Sequence, residues 1–424
     1  MNRAIILSIL IAHSASAETP RAQTDAKPLF NGKDLSGWTT VIDNQAVGED
    51  PENYVQVNDG TVHMYKDVTD GEKVPFGYIR TNKEYSNYHL TLEYRWLGRR
   101  FPPRAEKLRD AGLLYHLTGE DKVWPACVES QIQEGDTGDL VYLQSKALTT
   151  LHPHPKTAPQ GQGTAGLLYE NGGKPHFLGP GGYVGRFDEF DHLEGWSQVE
   201  IIVHANRYAE HIVNGKTVTR IWDIRKPDDS PLAKGYVGIQ LEGAELQYRN
   251  IKITELPPSL ASSHELVSLS AVDGHQSADA TITITNPSDQ VRSLTTELIG
   301  VHADAFSISP LPESLAPGES QELTISFHRN ANQFRHSAGL QIGSKEVGTF
   351  VTLQGIGQHR FEGKNEPPLQ EIVHALGTPL NVGGTNLHLR TNTMTIGDSI
   401  AASEFQSIEN TPITLTPLAR YSPK

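Results

Sequence analysis

The segment Val123–Asp139, VWPACVESQIQEGDTGD, concentrates residue types able to do acid–base chemistry. It reads as a strand ending in a turn rich in Gly and Asp. Residues two apart in a strand share a face, so Glu129 and Gln131 point the same way. One bulged residue near Ile132–Gln133 would bring Glu134 onto that face as well. Two carboxylates and an amide on one sheet face suit proton transfer on a sugar. A solvated strand face is the plainer alternative. Other polar residues recur with the same period. Tyr88–Trp96 (YHLTLEYRW) places Tyr88, Leu90, Leu92, Tyr94 and Trp96 on one face, with Glu93 and Arg95 on the other. In Asp110–Leu117, Gly112, Leu114 and His116 share a side. If these strands are neighbours, Glu93, Arg95, His116, Glu129 and Gln131 line one concave sheet. Trp124 would then supply an aromatic edge for the apolar face of a sugar. Taken alone, Glu93 and Arg95 also fit a simple ion pair.

The elements that must hold these residues are strands. The chain has 424 residues, with 38 Gly and 26 Pro, which favours an all-β protein with frequent turns. Its net charge of −14 offers nothing to attract nucleic acid or an anionic membrane surface. A neutral partner such as a carbohydrate is compatible with it. Cys127 is the single cysteine, so an internal disulfide is excluded. Arg3, the apolar stretch Ala4–Ala12 and Ala15-Ser16-Ala17 read as a signal peptide over residues 1–17. That stretch is too short to span a bilayer, and no later run suggests a transmembrane helix. With no cysteine at the cleavage site, the expected location is the periplasm or the exterior.

Three regions follow. Residues 28–256 are strand-like, with Asn214-Gly215 as a tight turn and two long loops, Arg99–Arg109 and Thr150–Gly182. Long loops on a β scaffold often carry the binding site. Residues 264–358 show strands at about ten-residue spacing, as in an immunoglobulin-like sandwich. Residues 367–424 form a small region to which no role attaches.

The first region resembles the bacterial 3-keto-disaccharide hydrolase domain family. The resemblance rests on Leu29–Trp38 (LFNGKDLSGW), Gly77–Thr81 with Tyr88–Trp96, Asp110–His116 with Val128–Glu134, and the blocks Trp196–Val203, His211–Lys216 and Gly235–Thr254. It implies a concanavalin-A-like jelly roll, similar to that of family 16 glucanases. Those enzymes carry Glu-x-Asp-x-x-Glu on one bulged strand. Here the spacing is kept as Glu129-Ser130-Gln131-Ile132-Gln133-Glu134, with an amide at the middle position. An amide hydrogen-bonds but does not relay a proton. The second region resembles immunoglobulin-like domains of the ASPM-SPD2-Hydin type, through Ala305–Pro310, Leu315–Ile325 and Leu353–Gly357. Such a module would serve as a spacer or as a surface for a protein partner.

The family name implies a glycoside-cleaving enzyme acting on 3-keto-disaccharides or 3-keto-glycosides. A ketone at C3 acidifies the C2 hydrogen, so proton abstraction could expel the C1 group, and water could then add. Glu129 or His116 would be the base, with Arg95 or Arg80 near the developing oxyanion. Glu134 would be the acid, and Gln131 and Glu93 would position the substrate. A divalent metal held by His116 and carboxylates could take the arginine's part; no cofactor is otherwise implied. Two rival readings stand beside this one: a non-catalytic carbohydrate-binding protein and a family 16-like β-glucanase.

Overall fold

The computed structural model describes residues 26–153, 163–186, 194–271, 276–329 and 335–357, and beyond them the backbone of four short strands. The expected signal peptide over residues 1–17 lies outside the described residues. Those four strands, Leu380–Val382, Thr385–His388, Glu404–Ser407 and Pro412–Thr414, pair in order. The chain is built of β-strands, as its composition suggests.

Two curved sheets make the first sandwich, a jelly roll. Among the described residues, the larger sheet has ten strands. Asn87–Arg100 lies at its middle, between Ser197–His204 and Ala244–Glu255. The smaller sheet has eight. Its central order is Leu140–Leu143, Ala126–Gln133, Asp110–Thr118, Tyr236–Leu241 and Gly77–Thr81. The period of two decides what lies between the sheets. Tyr88, Leu90, Leu92, Tyr94 and Trp96 point inward from the larger sheet. Ala111, Leu113, Val128, Ile132, Val237 and Ile239 meet them from the smaller one. Asn214 and Gly215 both take positive φ, 48° and 78°, and close the hairpin between Tyr208–Val213 and Lys216–Arg225.

A second, smaller sandwich follows. One sheet contains Ser277–Thr285 beside Ser320–His328, and the other contains Leu266–Ala271, Thr349–Gly357 and Arg335–Ile342. Leu269, Ile282, Leu323, Phe327, Leu340 and Leu353 fill the space between them. The outward face of the second of these sheets packs on the outward face of the ten-stranded sheet. Phe350 stacks on Tyr208 (centroids 5.9 Å, 19° between planes) and lies 5.2 Å from Trp222. His204 Nε2 donates to the Lys345 carbonyl at 2.7 Å, and Ser337 Oγ donates to the Gly173 carbonyl at 3.1 Å. Four sheets are thus stacked, and the second sandwich lies on the side away from the outward face of the eight-stranded sheet. Phe350→Ala should lower stability by about 3–5 kcal/mol, because its ring fills a buried aromatic junction. Calorimetry of the full chain checks this as a fall in melting temperature.

Candidate active site

The outward face of the eight-stranded sheet carries the polar residues whose alternation begins in Val123–Asp139. Val128 and Ile132 face the core, so Glu129, Gln131 and Gln133 face outward. Gly112 pairs with Gln131, and Leu114 pairs with Glu129 on the next strand. Gln240 belongs to the outward side of the strand after that, and Glu242 directly follows the strand's last residue. The face is nevertheless covered: Glu129, Gln131, Gln133, Asp110, Gln240 and Glu242 are all buried.

Glu129 sits at the centre. Its carboxyl lies across the bare backbone of Gly112, where a Cβ would collide with Glu129 Oε1 and Gln240 Oε1. The Gln240 side chain hydrogen-bonds to it. Arg104, from the loop after Asn87–Arg100, reaches down with two arms. Nη1 pairs with Asp110 Oδ2, and Nη2 pairs with Glu242 Oε1 at 2.7 Å. Gln133 Nε2 donates to Asp110 Oδ2 at 2.8 Å. Among the described residues, the buried oxygens Asp110 Oδ1, Gln131 Oε1 and Gln240 Oε1 have no hydrogen-bond partner. Oxygens of this kind suit a ligand rich in hydroxyl donors.

Two carboxyls share the Arg104 guanidinium and a third, Glu129, lies close by, and the protonation of all three reflects it. Burial pushes Glu129 well above the usual carboxylate range, and the nearby Asp110 adds to this. Burial and Asp110 do the same to Glu242. Asp110 is also raised by burial, against the pull of Arg104. Just before the adjoining strand, Asp139 accepts from the Arg186 backbone N–H at 2.7 Å, and burial pushes it up to about 7. Asp139 can therefore gain or lose a proton near neutral pH, and burial favours the protonated form of Glu129, Glu242 and Asp110.

An aromatic corner borders this cluster. The Arg104 guanidinium lies 5.6 Å from the Phe76 ring centre, and Phe76 meets Trp124 edge-on at 6.4 Å. Trp124 is 38% exposed. Arg80 is on the same sheet face, paired in two places with Asp121, at 2.7 and 2.6 Å, and stacked 4.2 Å over Tyr236.

Several expected neighbours are elsewhere. Glu93 and Arg95 lie on the ten-stranded sheet and point away from the core, so they do not share a face with Glu129. Glu93 accepts from Arg249 Nε at 2.6 Å. Arg95 donates to Gln247 and lies 4.8 Å from the Trp196 ring. The simple ion-pair reading suits Glu93, with a partner from the next strand. His116 also leaves the Gly112 face. A register shift between Tyr115 and Thr118 and a positive φ of 55° turn it inward. It is fully buried, and its Nε2 donates to the Ala205 carbonyl at 2.9 Å. Burial lowers its pKa to about 4. A metal site joining His116 to the carboxylates therefore does not form. Among the described residues, no group of three or more His, Cys, Asp or Glu is arranged to hold a metal ion. His116→Asn should lower the melting temperature and leave the pH profile of any catalysis unchanged. Parallel melts and pH–rate curves check this.

The bulge expected near Ile132–Gln133 is absent, since the ladder from Asp110–Gln133 to Tyr115–Val128 is unbroken. Glu134 instead follows the strand end. Arg109 Nε pairs with it at 3.1 Å and Arg100 Nη2 at 3.0 Å. Burial raises its pKa, but the arginines outweigh this and hold it below the usual range.

Arg104, Asp110, Gln240 and Glu242 complete the cluster, although spacing around Glu129 does not point to them. Asp110 lies two residues before Gly112, so the alternation contained its signal. The even positions of Tyr236–Glu242 carried the same signal for Gln240 and Glu242. Arg104 carried none, beyond its place in a long loop.

Residues 25–254, more than half of the chain, match the family described as the 3-keto-alpha-glucoside-1,2-lyase-like domain. The chain belongs to this family. The match spans the whole first sandwich and includes every residue of the carboxyl–arginine cluster. No curated protein matches the chain. Several solved structures are similar to it. One is the carbohydrate-binding module CBM66 from Bacillus subtilis, 10% identical, covering 51% of this chain and 96% of that one, with a TM-score of 0.26. A second is a galectin-like-fold protein of unknown function from Bacillus subtilis, 12% identical, covering 54% and 94%, with a TM-score of 0.29. A third is porphyranase B from Zobellia galactanivorans, 13% identical, covering 57% and 97%, with a TM-score of 0.26.

Proposed function

We propose that the protein cleaves 3-keto-glycosides by elimination across C1 and C2. One observation carries this reading. A buried carboxyl, Glu129, lies beside two more that share Arg104, on the sheet face bordered by Phe76 and Trp124. The C3 ketone makes the C2 hydrogen acidic. Glu129 takes that proton in the fraction of molecules where it has lost its own, so turnover rises with pH, and the electron pair moves toward the C3 oxygen, which the Arg104 guanidinium stabilises. The enolate then collapses, a C1–C2 double bond forms and the C1–O bond breaks. The departing oxygen takes a proton from Glu242, a carboxyl whose protonated form burial favours. The products are a 1,2-unsaturated 3-keto sugar and the free alcohol. Water adding across the new double bond would make the overall result hydrolysis.

Gln131 and Gln240 orient the sugar through their unpartnered oxygens. Glu134 is not assigned the acid's part, because its arginine partners keep it ionised. The same arrangement removes the second acid that a family 16-like glucanase would need. A carbohydrate-binding protein is the reading to set against catalysis, since the aromatic corner and the unpartnered oxygens need no chemistry to hold a sugar. The second sandwich fits an immunoglobulin-like spacer whose free sheet could meet a protein partner. The N-terminal signal implies export.

The test uses a 3-keto-disaccharide and its unoxidised parent. Elimination from the oxidised sugar alone, seen as the ultraviolet absorbance of a conjugated enone, supports the proposal. Equal cleavage of both sugars would overturn it. Binding without turnover would leave the carbohydrate-binding reading in its place.

A further inference from the structure

The connection from Gly119 to Pro125, between the two central site strands, is tied down at a distance from the carboxyls. Asp121 receives both Nε and Nη2 of Arg80, which sits on the strand Gly77–Thr81. Such a two-point pair fixes direction as well as distance. The Arg80 guanidinium is itself stacked over Tyr236, and its side chain is only 13% exposed. Three residues beyond Asp121 comes Trp124, with a φ of 63° that a bulky side chain rarely adopts. Gln144 Nε2 donates to its carbonyl at 3.2 Å. The surrounding structure therefore holds an indole in an unfavourable backbone conformation, partly exposed, at the edge of a buried polar site.

An oxidised ring undergoing elimination must lie over Glu129 and Arg104. The Phe76 ring touches both Arg104 and Trp124, which sets Trp124 beside the place where the oxidised ring reacts. We propose that Trp124 is the platform for the second ring of a disaccharide, the one joined through the bond that breaks. Arg80 and Asp121 form the latch that sets it there. Arg80 is then a positioning residue, acting through Trp124 and not on the sugar. This rests on the elimination reading for the reacting ring. It deepens that reading by assigning the leaving ring of a 3-keto-disaccharide to Trp124 and the setting of Trp124 to the Arg80–Asp121 pair.

The experiment compares a 3-keto-disaccharide with the methyl 3-keto-glycoside of the same sugar. Asp121→Ala should raise KM for the disaccharide by about tenfold, the effect of about 1.4 kcal/mol of lost stacking. It should leave kcat/KM for the methyl glycoside unchanged. In a Trp124→Ala background, Asp121→Ala should add nothing further, since paired residues fail to add. Equal loss on both substrates, or full additivity with Trp124→Ala, would overturn the latch. If the wild type turns over neither sugar, the elimination reading fails. The latch is then judged by acrylamide quenching. Greater quenching in Asp121→Ala than in the wild type, abolished by Trp124→Phe in both, supports it; unchanged quenching overturns it.

Discussion

Glu129→Gln is expected to lower kcat on a 3-keto-glycoside by about a thousandfold, within the usual range for loss of a general base. The same change should make the protein more stable at neutral pH. Glu129 is buried, and its folded-state pKa lies well above the unfolded value. Below the unfolded pKa the carboxyl is neutral in both states, and its burial costs no charge. As pH rises toward the folded pKa, the unfolded chain ionises while the folded one keeps its proton, so stability falls with rising pH. An amide of the same shape does not titrate. The gain should therefore be absent near pH 4 and grow toward pH 8, by about 1.4 kcal/mol per unit of pKa displacement. Melting curves of wild type and variant across that range check the trend. Equal stability at all pH values would mean that Glu129 is not held protonated by burial. The catalytic arm is checked separately, by kcat and KM on the oxidised substrate.

Arg104→Met should have the opposite effect on stability and the same effect on catalysis. Removing the guanidinium leaves Asp110 and Glu242 buried without their cation. Breaking a buried pair in this way costs about 3–5 kcal/mol when the remaining charge persists. These carboxyls can escape part of that cost by taking up protons, because burial already raises both. The deficit should thus be largest at pH 8 and shrink toward pH 5, as denaturant titrations at the two pH values would record. Loss of the group placed near the developing oxyanion should lower kcat by about 10²–10³. A variant that keeps full activity would remove Arg104 from the proposed chemistry.

Much of the local structure was legible because strands write their faces into the sequence with a period of two. Tyr88–Trp96 divides into an apolar and a polar face as its alternation predicts, and Glu129 and Gln131 share theirs. The expectations that failed depend on where one strand lies relative to another. Glu93 and Arg95 have the same local signature as Glu129, yet their strand belongs to the opposite sheet. His116 fits the alternation of Gly112 and Leu114, but a left-handed residue at a register shift reverses it. The bulge needed for Glu134 is the same kind of feature, and here the ladder runs straight through. Burial of polar residues was equally hidden. A strand rich in Glu and Gln looks solvated until distant loops cover it.

The sequence by itself determined an all-β chain, the inward-facing residues of its strands, and a carboxylate and an amide on one face. It also carried family blocks that run through the first sandwich. Only the tertiary structure decided that Asp110 and Glu242 join Glu129 around Arg104, and that Glu134, His116, Glu93 and Arg95 do not. The reason is physical. Alternation is a local consequence of backbone geometry, whereas a site's membership depends on sheet pairing, register shifts and loop paths that bring together residues more than a hundred positions apart, as Arg104 and Glu242 are.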